Sequence, residues 1–482
     1  MKTKAQSGVE KRSPDLLVIG AGPAGLSAAT EAKRCGVGHV LVVDREREAG
    51  GILNQCVHTG FGLFHYGEAL TGPEYAQRLV AEAEAAGVAF MMETFAASLD
   101  QERNVILYSK EDGYEKLSPM AVILAMGCRE RTRAAVAVPG SRPAGVYAAG
   151  TAQRLINIEG YALGKRAVIV GSGDIGLIMA RRLVLEGVEV AAVIEIRETP
   201  AGLPRNVSQC LNAFSIPLFL AHRVIAIEGV SRVSSVVIAP VNGGESLRIS
   251  CDLVLFSVGL IPENELSAMA GIQTLGRTNG LVLDGRMQTE VPGIFACGNA
   301  YRVYDLVDEV SREAALAGRY AAAFLGCHAE GRESCKSPFE SKKLESPCRK
   351  AEFSVSDTEA NCRAASPIIC IICPKSCRMT VDEKGEPTGY GCRRGYEYAL
   401  QELQDPSAVL TTTVAVRDAL WPRLPCKTTA PVPRDKLREA AQALSEIEVQ
   451  APVALGEILC RDLLGLGVDV IATRCLNKVD KL

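Results

Sequence analysis

Two strand–glycine–helix units, which begin 151 residues apart, constrain this chain more than any other feature of its sequence. In the first unit the apolar run LLVI leads into Gly20, Gly22 and Gly25, and an alanine-rich stretch follows. In this pattern the first glycine makes the tight turn, the second lets the backbone approach a pyrophosphate, and the third lets the helix pack on the strand. The free amides at the helix N-terminus bind phosphate. The first unit therefore predicts a dinucleotide site.

An acidic residue completes the first unit. The strand-like run HVLVVD ends at Asp44, which lies 24 residues beyond Gly20. A carboxylate at this spacing can accept a hydrogen bond from a ribose hydroxyl. The glycine pattern alone also occurs in ordinary loops, so the agreement of strand, helix and acid favours the dinucleotide interpretation.

The second unit repeats the pattern with Gly171, Gly173 and Gly176, and its following strand ends at Glu195. A carboxylate at this place favours NAD(H), because it repels the 2′-phosphate of NADP(H). Arg197 follows two residues later and would weaken that preference. We predict NAD(H) at the second unit, with NADP(H) as the alternative.

The full chain has 17 cysteines, and a cluster of them lies in its C-terminal part. Cys370, Cys373, Cys377 and Cys392 have the spacing C-x2-C-x3-C-x14-C. Four thiolates can hold a [4Fe–4S] cluster or a tetrahedral zinc ion. The sequence favours the iron–sulfur cluster, because the first three cysteines share one short loop and a second C-x2-C pair is missing. Zinc and unliganded thiols remain alternatives.

Composition narrows the class of function. The chain has 53 basic and 56 acidic residues, so it lacks the basic excess typical of nucleic-acid-binding proteins. No apolar run approaches the roughly 20 residues of a membrane span, and the N-terminal residues lack the apolar segment of a signal peptide. We therefore expect a cytoplasmic protein without nucleic-acid or membrane partners.

The two units together resemble the FAD/NAD-linked pyridine nucleotide-disulfide oxidoreductase superfamily. The resemblance extends to Ala125-Met126-Gly127, at the crossing between domains, and to the Gly298-Asn299 pair. It implies an α/β fold with two Rossmann-like domains, FAD at the first turn and NAD(P) at the second, and an oligomer. It also implies FAD contacts by residues beyond the first turn, namely Gly51, Gln55, Gly127, Gly298 and Asn299.

The same resemblance implies a division of the chain. The FAD-binding domain would comprise residues 14–135 and 285–327, and the NAD(P)-binding domain would be inserted as residues 136–284. Residues 328–366 are polar and without period, which is typical of a linker. Residues 367–482 would form a small Cys-rich α+β domain.

The redox dithiol of that superfamily is missing. The sequence has no Cys-x4-Cys after Asp44 and no Cys-x2-Cys in the predicted inserted domain. The segment after Asp44 contains a single cysteine, Cys56, which is followed by His58. A neighbouring imidazole can lower a thiol pKa and favour the nucleophilic thiolate, so both are candidate catalytic residues. The alternative is a glycine-rich loop that only covers the flavin ring.

The C-terminal segment resembles a domain of unknown function that accompanies FAD-dependent glycerol-3-phosphate dehydrogenase-like proteins, through stretches such as CIICPKSCRMTV and CRRGYEYALQEL. Tyr304 departs from that resemblance, which implies histidine there. The resemblance implies an oxidoreductase subunit that passes electrons between NAD(H) and a partner dehydrogenase or acceptor, through flavin and an iron–sulfur cluster. The alternative is a stand-alone NAD(P)H reductase of peroxide, disulfide or quinone, with Cys56 as a monothiol. A flavin-binding subunit without activity is a third possibility.

Overall fold

A computed structural model describes residues 13–329 and 367–479. The predicted linker lies outside the described residues, apart from its first two. Five parallel strands form the first sheet, with Leu16–Ile19 at its centre. Every side chain of that central strand is buried, as expected of a parallel sheet covered on both faces. In spatial order the strands are Ile294–Ala296, Ala121–Leu124, Leu16–Ile19, Val40–Val43 and Ala89–Met91.

The two faces of the first sheet carry different layers. The helices Pro23–Arg34 and Val307–Ala329 pack closely on one face, where a Cβ atom at Gly318 would lie 2.2 Å from the carbonyl oxygen of Ala28. The helix Gly72–Ala85 belongs to the same layer and begins with a capping box at Thr71. The other face is covered by the antiparallel strands Thr94–Leu99, Val105–Ser109 and Gly113–Leu117.

The second sheet repeats this plan. Its five parallel strands are, in spatial order, Val146–Ala148, Leu253–Phe256, Arg166–Val170, Glu189–Ile194 and Leu218–Phe219. The helices Ala149–Asn157 and Asp174–Leu185 pack on one face, and the short helical turns Pro204–Asn206 and Val207–Leu211 complete it. The antiparallel strands His222–Gly229, Val233–Pro240 and Leu247–Ser250 cover the other face. The predicted α/β fold with two Rossmann-like units is confirmed.

The chain passes between the two sheets through the antiparallel strands Cys128–Glu130 and Leu260–Pro262. The helix Glu265–Met269 follows, and its Leu266 joins the core of the first sheet together with Ile272 and Leu281. These residues fall within the predicted NAD(P)-binding segment 136–284. Their packing favours a boundary before Leu266, so we propose a shorter inserted domain.

The C-terminal part forms two subdomains. The first has three short antiparallel strands, Ile368–Ile369, Arg378–Val381 and Pro387–Thr388, and the helix Arg393–Gln404. The second is a mixed sheet covered by the helix Leu437–Ser445. The strands of that sheet are, in spatial order, Glu448–Gln450, Thr411–Arg417, Arg423–Thr428, Val470–Ala472 and Ile458–Cys460.

Polar contacts hold the C-terminal subdomain of the mixed sheet against the first Rossmann-like unit, and an apolar contact joins it to the second. Lys427 pairs with Glu74 at 2.7 Å, and the indole nitrogen of Trp421 donates to Glu48 at 2.6 Å. Leu185 of the second unit lies in the core of the mixed sheet. No helix among residues 13–329 and 367–479 is long and apolar enough to cross a membrane.

Candidate functional site

The first glycine turn, residues 20–25, is built so tightly that only glycine fits two of its positions. Gly20 has φ +111°, and a Cβ atom there would lie 2.4 Å from the carbonyl oxygen of Ala125. A Cβ atom at Gly25 would lie 1.8 Å from the carbonyl oxygen of Gly20. The turn therefore presses both against the neighbouring strand and against its own helix, as the glycine pattern predicts.

Gly22 is different, because a Cβ atom there would meet nothing within 4 Å. The helix begins at the next residue, Pro23, and no side chain caps its N-terminus. Free amides and an open backbone approach are what a pyrophosphate group requires. The residues present therefore fit FAD at the first turn. Gly51 borders this opening, since its Cβ atom would lie 2.8 Å from the Cα atom of Gly22.

Asp44 lies beside the first turn. Its carboxylate accepts hydrogen bonds from the backbone amide of Ala21 at 2.6 Å and from that of Glu46 at 2.9 Å. These bonds fix the carboxylate at the end of its strand, partly exposed. This is the place predicted for a ribose ligand.

Two further predicted residues approach the start of the same helix. A Cβ atom at Gly298 would lie 2.6 Å from the Cβ atom of Ala24. Asn299 accepts a hydrogen bond from the amide of Tyr304 at 3.1 Å and donates to the sulfur of Cys128 at 3.4 Å. Its side-chain amide is therefore bound within the protein on both sides, and its flavin contact stays a proposal.

Gly127 and Gln55 lie between the two units. Gly127 has φ +75°, and its carbonyl oxygen accepts from the amide of Glu263 at 3.0 Å. The buried Gln55 donates to the carbonyl oxygen of Gly150 at 2.8 Å and to Gln153 at 3.1 Å. Gln55 thus joins its loop to the helix Ala149–Asn157, a structural role beyond its predicted cofactor contact.

The second glycine turn, residues 171–176, has the same construction. Gly171 has φ +97°, and a Cβ atom there would lie 2.1 Å from the carbonyl oxygen of Ser257. A Cβ atom at Gly176 would lie 2.6 Å from the carbonyl oxygen of Gly171. At Gly173 the nearest atom, the hydroxyl of Ser257, would be 3.7 Å away, and no side chain caps the helix that follows. These residues fit the pyrophosphate of a nicotinamide dinucleotide.

Glu195 holds the place that Asp44 holds in the first unit. It accepts hydrogen bonds from the amide of Ser172 at 2.9 Å, from the Ser172 hydroxyl at 2.6 Å and from the amide of Arg197 at 3.1 Å. Only 4% of Glu195 is exposed. The Arg197 side chain, by contrast, is exposed at the edge of the turn.

The surroundings of Cys56 and His58 do not favour the activated pair that the sequence suggested. The Cys56 thiol donates to the carbonyl oxygen of Ile52 at 3.3 Å, and burial raises its pKa to about 12. Burial, together with the cations of Arg205 and Arg181, lowers the pKa of His58 to about 3. A neutral thiol and a neutral imidazole lack the thiolate character that a reactive cysteine needs. The sequence could not show this, because the burial comes from distant segments.

Asp308 holds the flavin-side loop, which we define as residues 56–66. Its carboxylate accepts from the amides of Gly62 at 3.3 Å, Phe64 at 3.2 Å and His65 at 2.8 Å. The sequence indicates only an acid near a helix N-terminus, which ordinarily caps its own helix. In the fold this carboxylate instead fixes a loop more than 240 residues away along the chain.

The cysteine loop, residues 370–377, lies beside the N-terminus of the helix Arg393–Gln404. A Cβ atom at Gly395 would lie 3.7 Å from the sulfur of Cys370 and 4.0 Å from that of Cys392. A Cβ atom at Gly391 would lie 3.0 Å from the sulfur of Cys377. Within the described segments, no three His, Cys, Asp or Glu side chains converge so as to hold one metal ion. The thiols of the cysteine loop and of Cys392 are therefore near one another but do not surround a single metal ion.

Arg205, which no sequence motif indicates, links the cysteine loop to the flavin-side loop. Its backbone amide donates to the hydroxyl of Ser376 at 3.3 Å. Its guanidinium reaches Gly60, where a Cβ atom would lie 2.5 Å from a terminal nitrogen of Arg205. Its cation interacts electrostatically with Cys370 and Cys373, and only 8% of the residue is exposed. The cysteine loop therefore lies one arginine side chain away from the flavin-side loop.

Two family models match separate parts of the chain. The family model described as pyridine nucleotide-disulphide oxidoreductase matches residues 14–314. A second model, described as a protein of unknown function (DUF1667), matches residues 393–474. The first match covers more than half of the chain, and the second confirms a separate C-terminal domain.

Individual relatives match about two thirds of the chain. The chain is 27% identical over 317 residues to thioredoxin reductase of Treponema pallidum, covering 64% of this chain and 97% of the relative. It is 28% identical over 337 residues to an opine oxidase subunit of Agrobacterium tumefaciens, covering 64% of each. The crystal structure of T. acidophilum thioredoxin reductase aligns with a TM-score of 0.55 at 24% identity, covering 65% of this chain and 98% of that one. This structural likeness concerns the fold alone.

Proposed function

The chain belongs to the pyridine nucleotide-disulphide oxidoreductase family, and we propose that it transfers reducing equivalents between NAD(H) and a partner protein or acceptor. Family membership makes it an FAD- and NAD(P)-dependent oxidoreductase. The observation that carries the finer proposal is the pair of open, uncapped glycine turns, each with a carboxylate beside it.

The residues of the chain bind and orient the two cofactors. The open backbone at Gly22 and at Gly173 receives a pyrophosphate, while Asp44 and Glu195 stand at the ribose positions. FAD supplies the capacity to accept a hydride and to release its electrons singly. The protein positions the two dinucleotides and restricts access by its flavin-side loop, which Asp308 holds in place.

NAD(H) is the proposed nicotinamide cofactor. Glu195 is fixed by three hydrogen bonds, and a fixed carboxylate repels a 2′-phosphate. The exposed cation of Arg197 works in the opposite direction. We therefore propose a preference for NADH over NADPH, which direct titration with both nucleotides would measure.

The C-terminal cysteines support a second, finer proposal. We propose that Cys370, Cys373, Cys377 and Cys392 hold a [4Fe–4S] cluster. A single zinc ion with bonds near 2.3 Å needs all four sulfurs close together. A cubane binds each thiolate to a different iron, so its four cysteine sulfurs lie farther apart. The proximity of the cysteine loop to the flavin-side loop, through Arg205, supports an electron-transfer role.

The partner is proposed by similarity alone. The opine oxidase relative and hydrogen cyanide synthase subunit HcnB of Pseudomonas protegens are both named as subunits, and they match 64% and 53% of this chain. We propose that this chain likewise works with a second FAD-dependent dehydrogenase, of the kind that oxidises glycerol 3-phosphate or an amine. Co-purification of the native protein from its source would identify that partner.

Two measurements test these proposals separately. NADH-dependent reduction of an artificial dye by the FAD-loaded protein tests the oxidoreductase proposal, and the reaction should disappear in Gly173→Val. Iron and acid-labile sulfide, measured on anaerobically purified protein, test the cluster proposal. We expect about four of each per chain in the wild type and a loss of both in Cys392→Ser. Dye reduction without iron would leave the first proposal standing and contradict the second.

The alternative of a stand-alone reductase with a monothiol at Cys56 has less support. A thiol whose pKa is raised to about 12 is protonated at neutral pH. The variant Cys56→Ser should therefore retain dye reduction and also reduction of small acceptors. A selective loss of peroxide or disulfide reduction in that variant would favour the alternative.

A further inference from the structure

A small cavity lies where the flavin-side loop, the helix Asp174–Leu185 and the mixed C-terminal sheet meet. Its volume is about 30 Å³, enough for about two or three water molecules. Its apolar lining residues include Val57, Ile178 and Leu185. Its polar lining residues include His58 and Arg181, which determine its chemistry. Neither glycine turn contributes to this cavity.

Arg181 brings a cation without a carboxylate partner to the cavity. No carboxylate of the described segments lies within salt-bridge distance of its guanidinium, which donates to the carbonyl oxygen of Val409 at 3.3 Å. The adjacent Arg182 shows the contrast, because it pairs with Glu186 at 2.6 Å and donates to Thr412 at 2.8 Å. Arg181 is only partly exposed, and withdrawing a cation from water without an anion is unfavourable, so the arrangement around Arg181 is incomplete by itself.

Two buried nitrogen atoms near the cavity also lack partners. The Nδ1 atom of His58, which lines the cavity, is buried and has no hydrogen-bond partner in the structure. The same is true of the Nε atom of Arg205, whose cation acts on His58. Buried polar atoms ordinarily have partners, and each exception needs an explanation. One anion in the cavity would satisfy the orphaned His58 atom and the charge of Arg181 together.

We propose that this cavity binds a small carboxylate anion of the size of acetate, held by Arg181 and His58. The planar guanidinium matches the two oxygens of a carboxylate, and the apolar lining residues suit a short alkyl group. The bound anion would connect the flavin-side loop to the C-terminal domain, because Thr411 of that domain also lines the cavity. The proposal depends neither on the nicotinamide cofactor nor on the cysteine loop.

The test uses the FAD-loaded full chain and sodium acetate as the probe. Isothermal titration calorimetry at constant ionic strength should give saturable binding with a Kd of about 1 mM. Arg181→Gln should weaken binding at least about tenfold. The matched control is Arg417→Gln, since Arg417 is an exposed arginine that pairs with Glu448 on the C-terminal sheet. This control should bind acetate as the wild type does.

A second variant protects the test against misfolding. Arg181→Lys keeps the charge and loses the planar fork, so we expect a folded protein with acetate affinity about tenfold weaker. In the absence of acetate, Arg181→Met should melt at or above the wild-type temperature, and saturating acetate should reverse that order. Equal acetate affinity in the wild type and Arg181→Lys, or no saturable binding in the wild type, would overturn the proposal.

Discussion

The two glycine turns are nearly superimposable in their hydrogen bonds, although they differ in their side chains. In the first, the amide of Ala21 donates to Asp44, and the amide of Gly50 donates to the carbonyl oxygen of Ala21 at 2.8 Å. In the second, the amide of Ser172 donates to Glu195, and the amide of Gly202 donates to the carbonyl oxygen of Ser172 at 2.9 Å. The backbone therefore provides the same phosphate site twice, and cofactor choice must come from the side chains.

Those side chains differ at two corresponding positions. The residue two places after the acid is Glu46 in the first unit and Arg197 in the second. The residue after the first glycine is Ala21 in one and Ser172 in the other, and the Ser172 hydroxyl adds a bond to Glu195 at 2.6 Å. The second acid is therefore held more firmly and is more buried than the first. This comparison suggests four tests.

The largest expected effect comes from filling the open glycine positions. Gly22→Val places a side chain where FAD binds, so the purified protein should contain almost no flavin. Gly173→Val should retain FAD and lose NADH affinity by about 100-fold, or about 2.7 kcal/mol. The flavin-to-protein absorbance ratio and NADH titration measure the two effects. If both variants lost the same cofactor, the assignment of one cofactor to each turn would be wrong.

The acids should have smaller effects. Asp44→Asn and Glu195→Gln each remove a charge from a ribose position, and we expect about a tenfold loss of affinity, or about 1.4 kcal/mol, for FAD and NADH respectively. Equilibrium titration of deflavinated protein with FAD, and of FAD-loaded protein with NADH, measures both. Unchanged NADH affinity in Glu195→Gln would mean that this buried acid only supports the turn.

Arg197, two positions after the second acid, should change the selectivity between NADPH and NADH more than the affinity for NADH. Arg197→Glu reproduces the charge of Glu46, and we expect NADPH affinity to fall about tenfold while NADH affinity changes about twofold or less. Arg197→Gln is the neutral control and should give an intermediate ratio. An unchanged NADPH-to-NADH ratio in both variants would place Arg197 outside the nucleotide site.

The smallest expected effect concerns His58 of the flavin-side loop, which has no counterpart at the second turn. Its pKa is lowered from 6.5 to about 3 in the folded protein. Between pH 6.5 and pH 3, therefore, the imidazole gains a proton only in the unfolded state. The free energy of unfolding should therefore fall as the pH decreases from about 6.5 toward 3. Thermal unfolding across this range should show a weaker pH dependence in His58→Gln. The same pH dependence of thermal unfolding in the wild type and in His58→Gln would contradict the lowered pKa.

The sequence predicted the features that local backbone geometry determines. Gly25 is required by its contact with the carbonyl oxygen of Gly20, and both acids end strands at a fixed distance from their turns. These constraints appear within about 25 residues of sequence. The fold class followed from the same repeated unit.

The interactions that the sequence could not reveal are long-range. Asp308 binds His65 across 243 positions, and Arg205 binds Ser376 across 171. The protonation states of Cys56 and His58 depend on burial by such distant segments, so their spacing alone suggested an activated thiol that the structure does not favour. A cation such as Arg181 is likewise ordinary in the sequence and unusual only in its surroundings.

The central claim, that the two turns bind FAD and NAD(H) as one redox unit, is tested most directly by anaerobic NADH titration of the purified protein. We predict that the flavin absorbance is bleached with about one NADH per FAD, because a hydride carries both electrons that the flavin accepts. The Gly173→Val variant should keep its flavin colour in the same titration. Flavin that stays oxidised in wild-type protein with excess NADH would contradict the claim.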